Sequence, residues 1–132
     1  MTDQRPDWDT YFLHMAATAS IRSDCERDKV GAVVVKNNRI RGTGYNGAPA
    51  GMPGCATCPR RASGVVPGSD YSNCVAVHAE ANALLYTDLE DRVGATLYVT
   101  REPCNGCWKI ILGAGVVRVV TPESEYRAEA LT

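Results

Sequence analysis

Val30 to Val35 reads Val-Gly-Ala-Val-Val-Val, a nearly unbroken apolar run dominated by β-branched residues. Such a strand has no polar face to give to water, so it must be covered on both sides. Val116 to Val120 repeats the pattern late in the chain. The segments around these runs carry helical spacing. Trp8, Phe12, Met15, Ala16, Ala19 and Ile21 predict a first helix over 8–22. Asn37-Asn38 predicts a tight turn, with a second strand over 39–45 completing a hairpin. Ala79, Ala81, Ala83, Leu84 and Leu85 favour a helix over 78–86, and 95–100 reads as another strand. Pro103 suits the start of a further helix, which Gly113 and Gly115 end. A short last helix is expected over 124–131. Strands alternating with helices give an α/β domain with helices on both faces of a mostly buried sheet.

A single domain is expected to span all 132 residues, a length that supports a core without staples. Residues 47–73 break the pattern: Gly, Pro, Ser and Asp dominate and no periodicity survives. Unstructured connections beyond about 12–15 residues are uncommon in compact domains, which suggests that something pins this one. The formal net charge is −1 and the pI about 6.1. A partner that is a nucleic-acid polymer selects for a basic stripe, and none is visible, so a small molecule is the expected partner. The first residues are polar and acidic, unlike a signal peptide, and no run approaches the roughly 20 apolar residues that span a bilayer. A cytoplasmic protein is expected, and its six cysteines then read as metal ligands or catalytic groups rather than a disulfide framework.

Two short motifs carry the chemistry. His78-Ala79-Glu80 opens one helix and Pro103-Cys104-Asn105-Gly106-Cys107 opens another. Cys104 and Cys107, three apart, share a helix face, and His78 completes a set of three soft ligands. A catalytic zinc takes three protein ligands and keeps a fourth position open, lowering the pKa of water there to roughly 7. Glu80, two residues from a ligand, is placed to carry protons: from water, to a ring nitrogen, then to a leaving amine. Alone, Cys-x-x-Cys is equally a redox pair or a structural clip, and His-x-Glu is incidental on many helices. The ordered pair, with Pro before the first Cys, is the signature of zinc-dependent nucleobase deaminases. His14 lies within the first helix, away from either motif, and reads as a surface or packing residue.

With the motifs in hand, the chain resembles the deoxycytidylate (dCMP) deaminases of the cytidine deaminase-like superfamily. The matching stretches are Arg22 to Cys25, Val30 to Val35, Gly44-Tyr45-Asn46-Gly47-Ala48-Pro49, His78 to Ala83, Leu97 to Thr100 and Pro103 to Cys107. The Gly-Tyr-Asn-Gly-x-Pro stretch is what narrows the resemblance to the deoxycytidylate branch. The resemblance implies a three-layer α-β-α sandwich around a mixed central sheet, and conversion of dCMP to dUMP with release of ammonia. It implies that Asn46 hydrogen-bonds the sugar hydroxyl, that the backbone around Ala79 reads the pyrimidine edge, and that Tyr126 closes the pocket. It implies a homo-oligomer, hexameric in many relatives, with dCTP and dTTP as effectors. Arg27, Lys29, Arg101 and Arg127 are candidates for the phosphate, with surface solvation the bland alternative for each.

Four cysteines remain: Cys25, Cys55, Cys58 and Cys74. Four thiolates suit a closed, tetrahedral structural zinc site. Some relatives bind a second zinc through cysteines that match Cys25 and Cys55, completed by histidines. This chain has no spare histidine there but offers Cys58 and Cys74. One metal would then tie the loop over about 47–74 to the first strand and the catalytic helix. The alternative is a redox pair at Cys55 and Cys58 with two ordinary buried thiols. For the activity, the rival readings are a deaminase of another cytosine nucleoside, nucleotide or aminopyrimidine, a tRNA adenosine deaminase, and a non-catalytic zinc-stabilised binding module. The acidic balance and the loop cysteines argue against tRNA. Glu80 argues against a purely structural metal.

Overall fold

The computed structural model describes residues 4–24, 28–47 and 77–128. Cys25, Cys55, Cys58 and Cys74, and with them the expected second zinc site and most of the long loop, lie outside the described residues. The elements run α1 (Trp8–Ser20), β1 (Gly31–Lys36), β2 (Arg39–Tyr45), α2 (Ala79–Leu85), α3 (Leu89–Arg92), β3 (Thr96–Val99), α4 (Asn105–Gly113), β4 (Arg118–Val120) and β5 (Glu125–Arg127). Asp7 starts α1 by accepting the Thr10 N–H at 2.8 Å, a side-chain cap on the first turn. The β1–β2 turn is made by Asn37 and Asn38 at φ of 54° and 58°, the left-handed pair that a two-residue hairpin requires.

The five strands form one mixed sheet in the order β2-β1-β3-β4-β5. β1 runs antiparallel to β2 and β3, β3 and β4 are parallel, and β5 returns antiparallel to β4. Parallel neighbours need a crossover, and α4 supplies it between β3 and β4. Alternate residues divide the core between two faces. Ala32, Val34, Leu97, Val99 and Val119 pack with Ala79, Ala83, Leu84, Cys107 and Ile111 of α2 and α4. Val33, Val35, Tyr98 and Val120 pack with Phe12 and Ala16 of α1. The fully apolar β1 is therefore covered on both sides, and the result is the expected three-layer α-β-α sandwich.

The end of the chain corrects one expectation. Residues 125–127 form the edge strand β5 instead of entering a helix. Glu, Arg and Ala favour a helix, but a segment this short is marginal as a helix in water. The outer edge of β4 offers unpaired backbone groups, and β5 takes them in a register that sets Tyr126 opposite Val119. The turn is held locally: the Ser124 N–H donates to Thr121 Oγ1 at 3.0 Å, and the Thr121 N–H donates to the Ser124 carbonyl at 2.9 Å. The one-turn helix α3 was also not foreseen, since four residues are too few to show a period.

Arg118 fastens this edge to α1. Its guanidinium donates to both Asp9 oxygens, at 2.9 and 2.6 Å, and to Glu125 Oε2 at 2.5 Å. The Tyr98 hydroxyl donates to Asp9 Oδ1 at 2.7 Å. The Arg118 hydrogen bonds, helped by Tyr98, hold the Asp9 carboxyl below the ordinary carboxylate range despite partial burial. A depressed pKa means stability that is present above the ordinary carboxylate pKa and lost as pH falls through the depressed one. Asp9→Asn should cost about 1–2 kcal/mol near neutral pH. The gap to wild type in urea denaturation should close as pH drops below about 4. A gap that persists unchanged at low pH would remove the ion pair as its cause.

Candidate metal centre and active site

The N-termini of two helices, α2 and α4, come together. His78 is the N-cap of α2 and Cys104 the N-cap of α4, with Cys107 one turn further in. Nδ1 of His78 lies 3.1 Å from Sγ of Cys107 and 3.6 Å from Sγ of Cys104. All three donor atoms fall within 4.8 Å of one another, and they form the candidate metal-binding group among the described residues. Zinc bound at 2.0–2.3 Å by nitrogen and sulfur in a tetrahedron sets its ligand atoms roughly 3.5–4 Å apart, so the donor set fits that ion. His78 and Cys104 are half-buried and Cys107 is buried, so part of the group remains accessible to solvent.

The electrostatics point the same way. Burial, reinforced by the nearby Glu80 carboxylate and Cys104, pushes the Cys107 thiol well above its ordinary value. A divalent cation inverts that preference, because a coordinating thiol is deprotonated outright. The positive end of the α4 dipole adds to it. Glu80 sits in the first turn of α2 and is only 4% exposed. Burial pushes its carboxyl up from the ordinary carboxylate range, while its own backbone N–H and the neighbouring His78 pull it back down. A carboxyl whose charge is disfavoured by burial takes up a proton more readily than a solvated one.

What places α2 so close is β2. Gly42 and Gly44 stand opposite Val34 and Ala32 and so face the α2 layer. A Cβ on Gly44 would lie 2.4 Å from the Ala83 nitrogen and 2.5 Å from the Ala79 carbonyl oxygen. β2 is bare of side chains where the helix crosses it. Asn82, one turn beyond His78, donates to the Tyr45 carbonyl at 2.7 Å and ties α2 to the end of the same strand. Gly47 and Val77 exchange backbone hydrogen bonds at 3.1 and 2.7 Å, which brings the Gly-Tyr-Asn-Gly stretch alongside His78.

Asn46, expected at the substrate, is buried at this junction. Its Oδ1 accepts the Val30 N–H at 2.8 Å and its Nδ2 donates to the Asp28 carbonyl at 2.6 Å. An amide has two lone pairs and two N–H hydrogens, so each end retains capacity for a second partner. Ala79 is buried as the first residue of α2, where its N–H has no acceptor within the helix. Tyr126 lies on β5, and its ring meets Trp108 of α4 edge to face, centroids 5.2 Å apart. Of the phosphate candidates, Arg101 pairs with Asp28, Arg127 pairs with Glu125 at 2.6 Å, and Arg27 is outside the described residues. Asn82 and Trp108 were missed from sequence. Their signal was a spacing of four from the ligands His78 and Cys104, which puts each on its ligand's helix face.

The model of the cytidine and deoxycytidylate deaminase zinc-binding region matches residues 6–123. A deoxycytidylate deaminase of Mycobacterium phage D29 is 69% identical over 124 residues, covering 90% of this chain and 97% of that one. The Schizosaccharomyces pombe deoxycytidylate deaminase is 44% identical over 120 residues, 88% of this chain but only 37% of that longer protein. The crystal structure of the dCMP deaminase of cyanophage S-TIM5 in complex with dCMP and dUMP superposes with a TM-score of 0.69 at 34% identity, covering 90% of this chain and 83% of that one. The matched region contains the candidate metal-binding residues His78, Cys104 and Cys107, Glu80 and the strands and helices that hold them. The chain belongs to the cytidine and deoxycytidylate deaminase zinc-binding family.

Proposed function

We propose that this protein hydrolyses dCMP to dUMP and ammonia. The observation that carries the reading is the buried Glu80 beside the three convergent donors His78, Cys104 and Cys107. The substrate is supported by the deoxycytidylate deaminase relatives, with 69% identity to the phage D29 protein, and by the dCMP- and dUMP-bound neighbour. His78, Cys104 and Cys107 would hold a zinc ion, which would supply the Lewis acidity that lowers the pKa of water there toward neutrality. Glu80 removes the proton from the attacking water and delivers it to the pyrimidine ring nitrogen next to C4. Once the C4–O bond has formed, Glu80 takes the second proton from the new C4 hydroxyl and passes it to the amine, so the C4–N bond breaks, the C4 carbonyl forms and ammonia leaves. The Ala79 backbone reads the pyrimidine edge, Asn46 offers its remaining hydrogen-bonding capacity to the sugar hydroxyl, and Tyr126 walls the pocket.

The second metal belongs to the same proposal. Cys25, Cys55, Cys58 and Cys74 hold a structural zinc, and four thiolates in one chain with no histidine to spare are the support for it. An oligomer, with dCTP and dTTP as effectors, follows the family resemblance. No helix among the described residues is long and apolar enough to cross a membrane, which suits a cytoplasmic enzyme.

Ammonia release should be measured on dCMP, dCTP, deoxycytidine, cytidine and tRNA. Preference for dCMP is expected, and activity confined to the unphosphorylated nucleosides would overturn the substrate. Inactivity on all of them would revive a non-catalytic binding module. Elemental analysis should find two zinc ions per chain, falling to one in Cys55→Ser. A single zinc in the wild type, unchanged in Cys55→Ser, would sink the structural site.

A further inference from the structure

We propose that Trp108 is a positioning residue for the deamination, its ring fixing the Tyr126 ring as one wall of the nucleotide site. The inference rests on the reading above, in which Tyr126 borders the substrate. Three fastenings hold the β4–β5 hairpin against the active-site edge. Ser124 Oγ donates to Glu102 Oε2 at 2.9 Å, two residues before the ligand Cys104. Arg118, which also donates to Glu125, anchors the opposite face of the hairpin to Asp9 of α1. The third fastening is Trp108 itself.

Trp108 follows Cys107 directly and lies one helical turn beyond Cys104, whose carbonyl accepts its N–H at 3.0 Å. Its half-buried ring packs against the core cluster that contains Cys107, Ile111 and Val119. Tyr126 stands opposite Val119 and therefore projects from the same face of the sheet. The two rings meet at 67° with centroids 5.2 Å apart. Such an edge-to-face contact is directional, so it selects one orientation of the outer ring. Tyr126 is 40% exposed on a three-residue edge strand, and without a partner its ring would sample several rotamers. Trp108 thus converts a loosely held edge residue into a fixed surface next to two metal ligands.

A double-mutant cycle on dCMP turnover tests this, using Trp108→Leu, Tyr126→Leu and the pair. Trp108→Leu should raise KM about tenfold while kcat stays within about threefold and the zinc content holds. Tyr126→Leu should do the same, and the double variant should be no worse than either single one. Trp108→Phe, which restores a ring, should recover most of the lost KM. An unchanged KM in Trp108→Leu, multiplying effects in the double variant, or a fall in kcat that tracks zinc loss would each overturn the positioning role. Absence of dCMP turnover in the wild type would instead overturn the substrate reading on which it rests.

Discussion

Glu80→Gln should retain its zinc and lose about ten-thousandfold in kcat on dCMP. The substitution keeps the shape of a side chain that is 4% exposed, so the first turn of α2 has no reason to move. The three donors come from His78, Cys104 and Cys107, and the ligand group closes without any carboxylate. What Gln cannot do is accept a proton from water and pass it on. In the proposed mechanism all the proton movements of the hydrolysis run through this one group, so the loss is expected in kcat more than in KM. Near-normal turnover would take Glu80 out of the chemistry. Coincident loss of metal would instead make it part of the scaffold for the ligands.

The second large effect is expected at a residue that touches neither metal nor substrate. Gly44→Ala should lower stability by about 3 kcal/mol and kcat/KM by about a hundredfold. The added methyl would come within 2.4 Å of the Ala83 nitrogen, 2.5 Å of the Ala79 carbonyl oxygen and 2.9 Å of the Ala83 Cα. All three are backbone atoms of α2, and none can rotate aside. The helix must back away from β2, and His78 and Glu80 move with it. Misplacing a reacting group by about 1 Å is enough to cost two powers of ten. Gly113→Ala is the matched control. A Cβ there meets nothing within 4 Å on the last turn of α4, so it should leave activity unchanged. Denaturant melts and kcat/KM per bound zinc check both variants. A Gly44→Ala enzyme within twofold of wild type in both would show that the close crossing of β2 and α2 does not position the site.

Much of this arrangement was legible in the residues themselves. β1 announced its double coverage through an unbroken apolar run, and the two faces were filled as that pattern demands. The convergence of the donors was legible because His78 and Cys104 each stand at a helix start, which has a chemical signature in sequence. β5 was not legible. Its three residues are all exposed, so no alternation marks a strand, and Glu and Arg favour a helix. What makes it a strand is tertiary: the open edge of β4, the Arg118–Glu125 pair and the Trp108–Tyr126 contact. The role of Gly44 was hidden for a similar reason. The strand over 39–45 was legible, but nothing in its residues says which helix crosses it, whereas here Gly44 is the space into which α2 fits.

Turnover of dCMP in oxygen-18 water, followed by mass spectrometry of the product and ammonia quantitation, tests the central claim most directly. The expected result is dUMP with one oxygen-18 on the base and one ammonia released per dUMP formed. Both should fall together in Glu80→Gln. Intact dCMP, or dUMP formed without label from water, would contradict hydrolytic deamination by this site.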